Sequence, residues 1–358
     1  MRMSKKIRTV VLACMLAAAC GMTGCESVRM PENSQVQKQT SLTQYKATFL
    51  DLFDTVTTIV GYAENEEAFQ EQIQPVKELL QEYHQLFDIY HTYEGITNLR
   101  TINDHAGMEP VAADERIIQL LLDCREFYDV TDGKVNAAMG SVLALWHDAR
   151  TDGVNDPVHA KLPDEDALRA AAEHMDFDSV IIDEEASTIQ ITDPKLRLDV
   201  GAVAKGWTAQ RVAEQSPEGM LISLGGNVCA TGPKPETGAA WVVGIQDPDG
   251  DADQYLHTIY VNYESVVTSG DYQRVYVVDG KEYHHIIDPD TLYPSEYWQA
   301  VSIVCKDSGI ADMLSTALFQ LPMEEGQKLL DQYDAQAVWV GIDGTISYSP
   351  GFKDLIRT

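Results

Sequence analysis

Positive charge is scarce in this sequence. Its 358 residues include 26 Lys and Arg against 56 Asp and Glu, which gives a formal net charge of −30. A surface of that sign repels nucleic acid and anionic lipid headgroups, so no polyanion partner is expected. Any site for a phosphate must therefore gather its own cations locally.

Cysteine is sparse as well, and the chain contains only six. Three of them, Cys124, Cys229 and Cys305, are far apart and lie in apolar runs, and their number is odd. This distribution predicts buried thiols rather than a disulfide framework or a metal cluster. Internal repeats and a Walker A phosphate-binding loop are also missing from the sequence.

The other three cysteines lie in an N-terminal segment that is typical of a secretory signal. Four basic residues in positions 2–8 precede the apolar positions 10–19, a run too short to span a membrane as a mature helix. The sequence therefore predicts a lipoprotein signal peptide over residues 1–24. Met22-Thr23-Gly24-Cys25 resembles a bacterial lipobox, in which the cysteine becomes the lipidated first residue. A weaker lipobox ending at Cys20 and an ordinary cleaved signal are the alternatives.

Lipidation at Cys25 would anchor the mature chain on the extracytoplasmic face of a bacterial cell membrane. Residues 25–45 are then expected to form a flexible tether and residues 46–358 a single domain. Loss of the signal removes four basic residues and no acidic ones, so 22 basic residues face 56 acidic ones and the mature charge is near −34.

Apolar periodicity changes along the chain from helical to strand-like. A strand is predicted at residues 49–60, and the helices that follow are predicted at 66–90, 116–128, 136–147 and 164–175. From residue 180 short strands and turns follow one another, interrupted by helices near 202–214 and 310–321. This order favours an α+β fold, with a helical N-terminal part packed on a β-rich meander, over a doubly wound sheet.

Titratable residues collect in two blocks near the end of the chain. Asp271 and His285 each follow a predicted strand, and His285 opens an apolar run that ends at Asp288. We expect the two strands to be adjacent, which would place these groups on one rim of the fold. A histidine there could act as a general base, whereas an aspartate is a poor base near neutral pH unless it is buried. His285 is therefore favoured over Asp271 as the base. The alternative is an imidazole that only satisfies backbone groups.

Two further patterns suggest sites for phosphate and metal. A strand breaks at Gly201 into small residues and Lys205, where helix amides and an ammonium would attract phosphate; a solvated lysine is the alternative. Asp312 and Thr316 lie four residues apart and so share a helix face. Their hard oxygens suit Mg²⁺, which takes few protein ligands, although a carboxylate near a helix start is more often a cap.

Eight sequence blocks follow one another along the chain: FDTVTTI, TNLRTIN, DGKVNAAMGSVLALWH, LDVGAVAKG, SLGGN, TSGDYQR, HHIIDPDTLYP and ADMLSTALF. In this order they resemble the ApbE family, the FAD:protein FMN transferases, in its lipoprotein form. The resemblance extends from about Phe53 to Tyr348. The succession of SGDY, HIIDP and ADxxxT is the most specific part.

The resemblance implies Mg²⁺-dependent transfer of FMN from FAD to a threonine hydroxyl of a partner protein, with AMP as the leaving group. It implies export-side subunits of redox complexes as acceptors, modified at an Asp-x-x-Thr-Ser/Ala-Thr type of site. It places Asp271 and His285 at the reacting centre and Lys205 at the FAD phosphates. The implied Mg²⁺ ligands are Asp312, Thr316 and the carbonyl of Ala202. The implied contacts with the cofactor are Phe53, Thr55, Gly225, Gly226, Asn227, Ser269 and Tyr272.

Two positions depart from the family pattern. Leu292 stands where glycine is usual, and Val135-Asn136 where Phe-Asp is frequent; we expect changes in a loop at the pocket rim and in flavin or adenosine contacts. Three other functions remain open: an FAD pyrophosphatase that releases FMN and AMP, a lipid-anchored flavin-binding protein without turnover, and a solute-binding lipoprotein. The last of these would be expected to have two similar α/β lobes.

Overall fold

The computed structural model describes residues 41–251 and 254–358. The predicted signal peptide, the lipidation site Cys25 and most of the predicted tether lie outside these residues. A strand begins at Thr43, so the last residues assigned to the tether belong to the folded domain.

The segment that was predicted as one strand at residues 49–60 is a hairpin. Strand β1 (Thr43–Leu52) pairs antiparallel with β2 (Thr55–Ala63), and Phe53 and Asp54 form the turn with φ of 55° and 49°. Two-residue turns of this kind need positive φ at both positions and usually contain Asn-Gly or Asp-Gly. The single-strand prediction was wrong because Phe-Asp carries no such signal. Left-handed backbone at these residues costs on the order of 1–3 kcal/mol each.

Eight strands form one antiparallel sheet in the order β1-β2-β6-β7-β10-β13-β14-β15. The strands beyond the first hairpin are β6 (Leu221–Leu224), β7 (Asn227–Ala230), β10 (Ser265–Gly270), β13 (Trp298–Cys305), β14 (Ala335–Gly341) and β15 (Ile346–Tyr348). Successive residues of the central strands are buried, because other layers cover both faces of the sheet.

Helices cover one face of this sheet and form the main core with it. They are α1 (Glu66–Phe87), α2 (Leu99–Asp104), α3 (Glu115–Val130), α6 (Ala204–Gln215), α7 (Ser308–Phe319) and α8 (Met323–Leu330). Residues of the sheet such as Ile222, Val267 and Ile303 belong to one buried cluster with Phe69 and Leu314 of the helices. Helix α7 lies under β10 and β13 and beside α6, which brings its side chains near the ends of the central strands.

Smaller units complete the molecule. They are the hairpin of β8 (Trp241–Gln246) and β9 (Tyr255–Val261), the sheet of β3 (Val111–Ala112), β5 (Thr188–Ile191) and β4 (Val180–Asp183), the hairpin of β11 (Tyr276–Val278) and β12 (Lys281–Tyr283), and helices α4 (Gly140–Asn155) and α5 (Glu165–Ala172). The β8–β9 hairpin closes a second core on the other face of the main sheet. A third core joins α4 and α5 to β11 and β12.

These layers confirm the predicted α+β class. The helix predicted at residues 136–147 begins and ends later, as α4, and the described thiols of Cys124, Cys229 and Cys305 are buried and free, as predicted. In the described ranges, no helix combines the length and apolar character that a membrane crossing requires.

Candidate active site

Asp312 lies where α6, α7 and β7 meet. Its carboxylate is buried, and Oδ2 accepts hydrogen bonds from the amide of Gly206 at 2.7 Å and from Nδ2 of Asn227 at 2.8 Å. Burial raises the pKa of Asp312, while the charge of Lys205 and these two donors lower it. Oδ1 accepts no hydrogen bond from the described residues and therefore keeps its lone pairs for another ligand.

The contact between α6 and α7 depends on a glycine. A Cβ atom at Gly206 would lie 2.3 Å from the carbonyl oxygen of Ser308 and 2.4 Å from Cβ of Asp312. Only glycine therefore allows the Gly206 amide to reach the Asp312 carboxylate. We predicted that amides at this helix start attract phosphate, but this one is already used by Asp312.

Thr316 follows Asp312 by one helical turn, and its Oγ1 donates to the carbonyl oxygen of Ala202 at 3.3 Å. Ala202 lies in the turn before α6, which the amides of Val203 and Ala204 close by donating to Val200. Helices α6 and α7 thus bring a carboxylate, a hydroxyl and a backbone carbonyl together. This is a hard oxygen donor set that fits Mg²⁺. No group of three or more His, Cys, Asp or Glu able to hold a metal occurs among the described residues.

Three cations act electrostatically on His285. Lys205 lies in the first turn of α6 with its Nζ 3.1 Å from the carbonyl oxygen of Gly201. Burial lowers the pKa of His285 most, and the charges of Arg274, Lys205 and Arg150 lower it further. Neither arginine forms an ion pair with a carboxylate in the described part of the chain. In a protein of net charge −30, these cations are a local source of positive charge for a phosphate, and Arg274 and Lys205 also act on the carboxyl group of Asp199.

Two hairpin turns lie side by side, because β2 and β6 are neighbours in the main sheet. Gly225 and Gly226 form the β6–β7 turn with φ of 57° and 95°, and a Cβ at Gly225 would lie 2.5 Å from Oγ1 of Thr55. Phe53 belongs to the other turn. The structure thus brings together four of the predicted cofactor contacts, namely Phe53, Thr55, Gly225 and Gly226. A fifth, Asn227, directs its amide to Asp312.

The two adjacent histidines differ in their surroundings. His284 is satisfied by the backbone, since its Nε2 lies 2.8 Å from the carbonyl oxygen of Ser295 and its Nδ1 accepts from the amide of Ile286. His285 has a buried Nδ1 without a partner in the described structure. Burial is the main reason that the pKa of His285 lies well below its usual range. An unpaired ring nitrogen distinguishes His285 as the candidate for chemistry.

Asp271 follows β10 directly, and its amide donates to the carbonyl oxygen of Gln299. Burial and the carboxylates of Glu282 and Asp249 raise the pKa of Asp271 to about 6. Burial was the condition under which Asp271 could compete with His285 as the base, and this raised pKa meets it. The prediction that the Asp271 and His285 blocks end adjacent strands was wrong, since β10 pairs with β7 and β13 whereas β12 pairs with β11.

Two other residues of the SGDY block support this end of β10. Oγ of Ser269 lies 2.9 Å from Oγ of Ser315, a hydrogen bond that joins β10 to α7. The ring of Tyr272 covers Gly270, where a Cβ would lie 2.5 Å from the ring, and burial raises the pKa of Tyr272 to about 12.

Comparison with known proteins identifies the family. A family model described as the ApbE family matches residues 23–339. This chain belongs to the ApbE family. A protein of Klebsiella pneumoniae (strain 342) named FAD:protein FMN transferase is 34% identical over 245 residues, which are 67% of this chain and 73% of that protein. A protein of Treponema pallidum (strain Nichols) with the same name is 34% identical over 277 residues, 72% of this chain and 75% of that one.

Solved structures agree with this assignment. The ApbE protein of Thermotoga maritima superimposes with a TM-score of 0.77 at 28% identity and covers 88% of this chain and 100% of its own. The flavin transferase ApbE of Vibrio cholerae, at 22% identity, shares the fold with a TM-score of 0.71 over 88% of this chain and 99% of its own.

The two departures from the ApbE pattern have local structural explanations. Leu292 has φ of 63°, a left-handed backbone that favours glycine, and its carbonyl accepts from Nε1 of Trp146. Asn136 closes a loop by donating to the carbonyl of Met175 and accepting from the amide of Ala138. Its polar atoms are therefore used within the chain.

Sequence reasoning missed roles for several residues of the ApbE blocks. Asn103 ends the TNLRTIN block, and its side chain both donates to the carbonyl and accepts from the amide of Leu198, which fixes the segment before Gly201. Asp288 is buried and ion-paired with Lys134 at 2.8 Å, so it holds the loop together. The spacing of a motif indicates that such residues matter but not which partner they reach.

Proposed function

We propose that this chain transfers FMN from FAD to a threonine hydroxyl of a partner protein and releases AMP. The observation that carries the proposal is the convergence of the Asp312 carboxylate, the Thr316 hydroxyl and the Ala202 carbonyl beside Lys205. Membership of a family whose relatives are named FAD:protein FMN transferase supports it.

We propose Mg²⁺ as the metal held by Asp312, Thr316 and the carbonyl of Ala202. When bound, it supplies positive charge to the phosphate oxygens, which otherwise repel an attacking nucleophile. Lys205, Arg150 and Arg274 add charge from the protein itself, and in phosphoryl transfer such positioning and electrostatic stabilisation provide most of the catalysis.

The threonine hydroxyl must lose its proton as it attacks the FMN phosphorus. Asp271 and His285 are the two candidates to accept it. We favour the Asp271 carboxylate, because its pKa is raised to about 6, whereas burial and nearby cations lower the pKa of His285 well below its usual range and so weaken that imidazole as a base. A pyrophosphate bound next to Lys205, Arg150 and Arg274 would offset those cations and so return basicity to His285.

The proposed setting is the extracytoplasmic face of a bacterial membrane. A lipid anchor at Cys25 would hold the enzyme there, and the acceptors would be export-side redox subunits with an Asp-x-x-Thr-Ser/Ala-Thr type of site. The N-terminal sequence motif is the support for this location.

The test is an incubation with FAD, Mg²⁺ and a candidate acceptor, followed by in-gel flavin fluorescence and mass measurement of the acceptor. We expect the parent to label the acceptor and to release AMP. Asp312→Asn keeps an oxygen for the Gly206 amide but removes the charge, so we expect transfer to fall by about 10²-fold or more. The exposed Asp343→Asn serves as the matched control and should retain the parent rate.

Other results of this test would assign the chain a different function or exclude the metal ligand. Free FMN and AMP without labelled acceptor would assign the chain as an FAD pyrophosphatase. FAD binding without either product would assign it as a flavin-binding protein. Parent activity of Asp312→Asn at limiting Mg²⁺ would rule out Asp312 as a metal ligand.

A further inference from the structure

One imidazole contacts the Phe53–Asp54 turn, which carries a predicted cofactor contact. The backbone amide of Phe53 donates to Nδ1 of His84 at 3.2 Å, and the rings of the two residues meet edge to face with centroids 5.5 Å apart. His84 lies in the last turn of α1 and is half-buried. The contact spans 31 residues of sequence, so it is not part of the local hairpin geometry.

The other nitrogen of His84 faces a second loop. Nε2 lies 3.5 Å from the hydroxyl of Tyr93, which donates to Oδ2 of Asp88 at 2.8 Å. Asp88 is buried and also accepts from the backbone amides of Tyr90 and His91 at 2.6 and 3.0 Å. A continuous series of contacts thus joins the Phe53–Asp54 turn to the loop 88–93.

The direction of these contacts defines the state of the imidazole. An amide can only donate, so Nδ1 of His84 carries no proton and its proton lies on Nε2, facing Tyr93. Tyr93 donates in turn to the Asp88 carboxylate. His84 therefore serves this arrangement as a neutral side chain whose Nδ1 is the acceptor.

The turn needs such support because of its own backbone. Phe53 and Asp54 both have left-handed φ, and neither is glycine. Strained residues of this kind persist when surrounding contacts fix them, and they cluster at ligand sites. The turn leads directly to Thr55, whose side chain packs on Gly225. Gly225 begins the segment that ends at Asn227, the amide donor to Asp312.

We propose that His84 is a positioning residue, whose Nδ1 holds the Phe53–Asp54 turn so that Thr55 and Gly225 form a fixed wall for the flavin. This inference rests on the proposed function, because it assumes that FAD binds beside these turns. It assigns to His84 an effect on FAD binding and none on the transfer of the phosphoryl group.

Two replacements of His84 by amide side chains test which ring nitrogen supports the turn. His84→Asn places an amide oxygen close to the position of Nδ1, whereas His84→Gln places its polar end near Nε2 and leaves the Phe53 amide without an acceptor. We expect His84→Gln and His84→Ala to raise KM for FAD about three- to tenfold, the range of one lost hydrogen bond, with kcat within about twofold. His84→Asn should remain near the parent.

Amide hydrogen exchange of the metal-free, FAD-free protein reports the contact itself. Exchange at Phe53 should speed up in His84→Gln and His84→Ala and stay slow in His84→Asn. His159→Ala is the matched control, since His159 is an exposed histidine that pairs with Asp156 outside the site. It should leave exchange at Phe53, KM and kcat unchanged.

The results separate this inference from the proposed function. If the parent binds FAD and His84→Ala and His84→Gln bind it equally well, His84 has no positioning role. If Asn and Gln replacements behave alike, Nδ1 is not the atom that matters. A parent that binds no FAD would overturn the proposed function and this inference with it, while the exchange data would still show whether His84 holds the turn.

Discussion

As a catalytic base Asp271 must be ionised, whereas the folded protein is more stable when Asp271 is protonated. Burial and two nearby carboxylates raise its pKa to about 6 from the 3.8 of an unperturbed aspartate. The folded state therefore favours the protonated form, and ionisation of Asp271 destabilises the fold. This penalty is absent well below 3.8, grows as the pH rises, and is fully present above about 6.

We predict that Asp271→Asn loses transfer activity by about 10²- to 10⁴-fold, the usual contribution of a positioned base. The same change should stabilise the protein at neutral pH by about 1 kcal/mol after allowance for solvent screening, and the gain should vanish in acid. Urea unfolding at neutral and at acidic pH measures the change in stability, and single-turnover rates measure the loss of transfer activity. The parent rate should fall as the pH drops through about 6.

His285→Ala is the comparison that decides the base. If this variant loses the rate while Asp271→Asn keeps it, the base is His285 and the Asp271 assignment is wrong. In that case the parent rate should begin to fall only at a pH below about 6, because the pKa of His285 lies well below its usual range.

Leu292 presents a simpler conflict, between a side chain and its backbone. Its φ of 63° is disfavoured for every residue with a Cβ, and the side chain is only partly buried. We predict that Leu292→Gly is more stable than Leu292→Ala by about 1 kcal/mol, because both lose the side-chain contacts and only glycine relieves the backbone.

Thermal unfolding of the two Leu292 variants measures the difference. At an ordinary helical position the alanine variant is more stable than the glycine variant. Leu143→Ala and Leu143→Gly in α4 are the reference pair for that order of stability. If Leu292→Ala is as stable as Leu292→Gly, the left-handed backbone costs nothing here.

At the scale of elements, the contact between α6 and α7 is the most tightly constrained feature of the site. We predict that Gly206→Ala destabilises the protein by about 1–3 kcal/mol and lowers Mg²⁺-dependent activity, because the added methyl group meets the Ser308 carbonyl and the Asp312 side chain. Gly326→Ala in α8 is the control, since its Cβ would meet only side-chain atoms, those of Leu318 at 3.1 Å or more and of Trp339 at 3.8 Å. Equal stability of the two variants would contradict this account.

The same elements show what the sequence could predict. Asp312 and Thr316 were placed on one face correctly because α-helical spacing fixes which side chains are neighbours. The Phe53–Asp54 turn was not predicted, because Phe-Asp carries no local turn signal and the side chain that the Phe53 amide contacts, His84, lies 31 residues away. The partner of Asn227 was missed for the same reason. Local periodicity is readable in a sequence, whereas a contact between distant elements depends on the whole packing.

At the scale of the molecule, we expect the distribution of charge to affect the affinity for FAD. Lys205 is part of a local cationic group in a strongly acidic chain. We predict that Lys205→Ala weakens FAD affinity about tenfold in low salt and that added salt narrows the difference. Isothermal titration at two salt concentrations measures this, with the exposed Lys328→Ala of α8 as control. Unchanged affinity would leave Lys205 as a solvated lysine on a helix face.

The hydrogen bonds of Asp312 also determine when the site can exist during biosynthesis. They join residues 106 and 85 positions apart, and the carboxylate belongs to a helix near the end of the chain. Contacts over such separations form late in folding, after the intervening chain has been closed into loops. A nascent chain that ends before α7 contains Lys205 and both hairpin turns of the site but no Asp312. The site can therefore form only after α7 has been synthesised and packed against α6 and β7, and a chain truncated before α7 should lack it entirely.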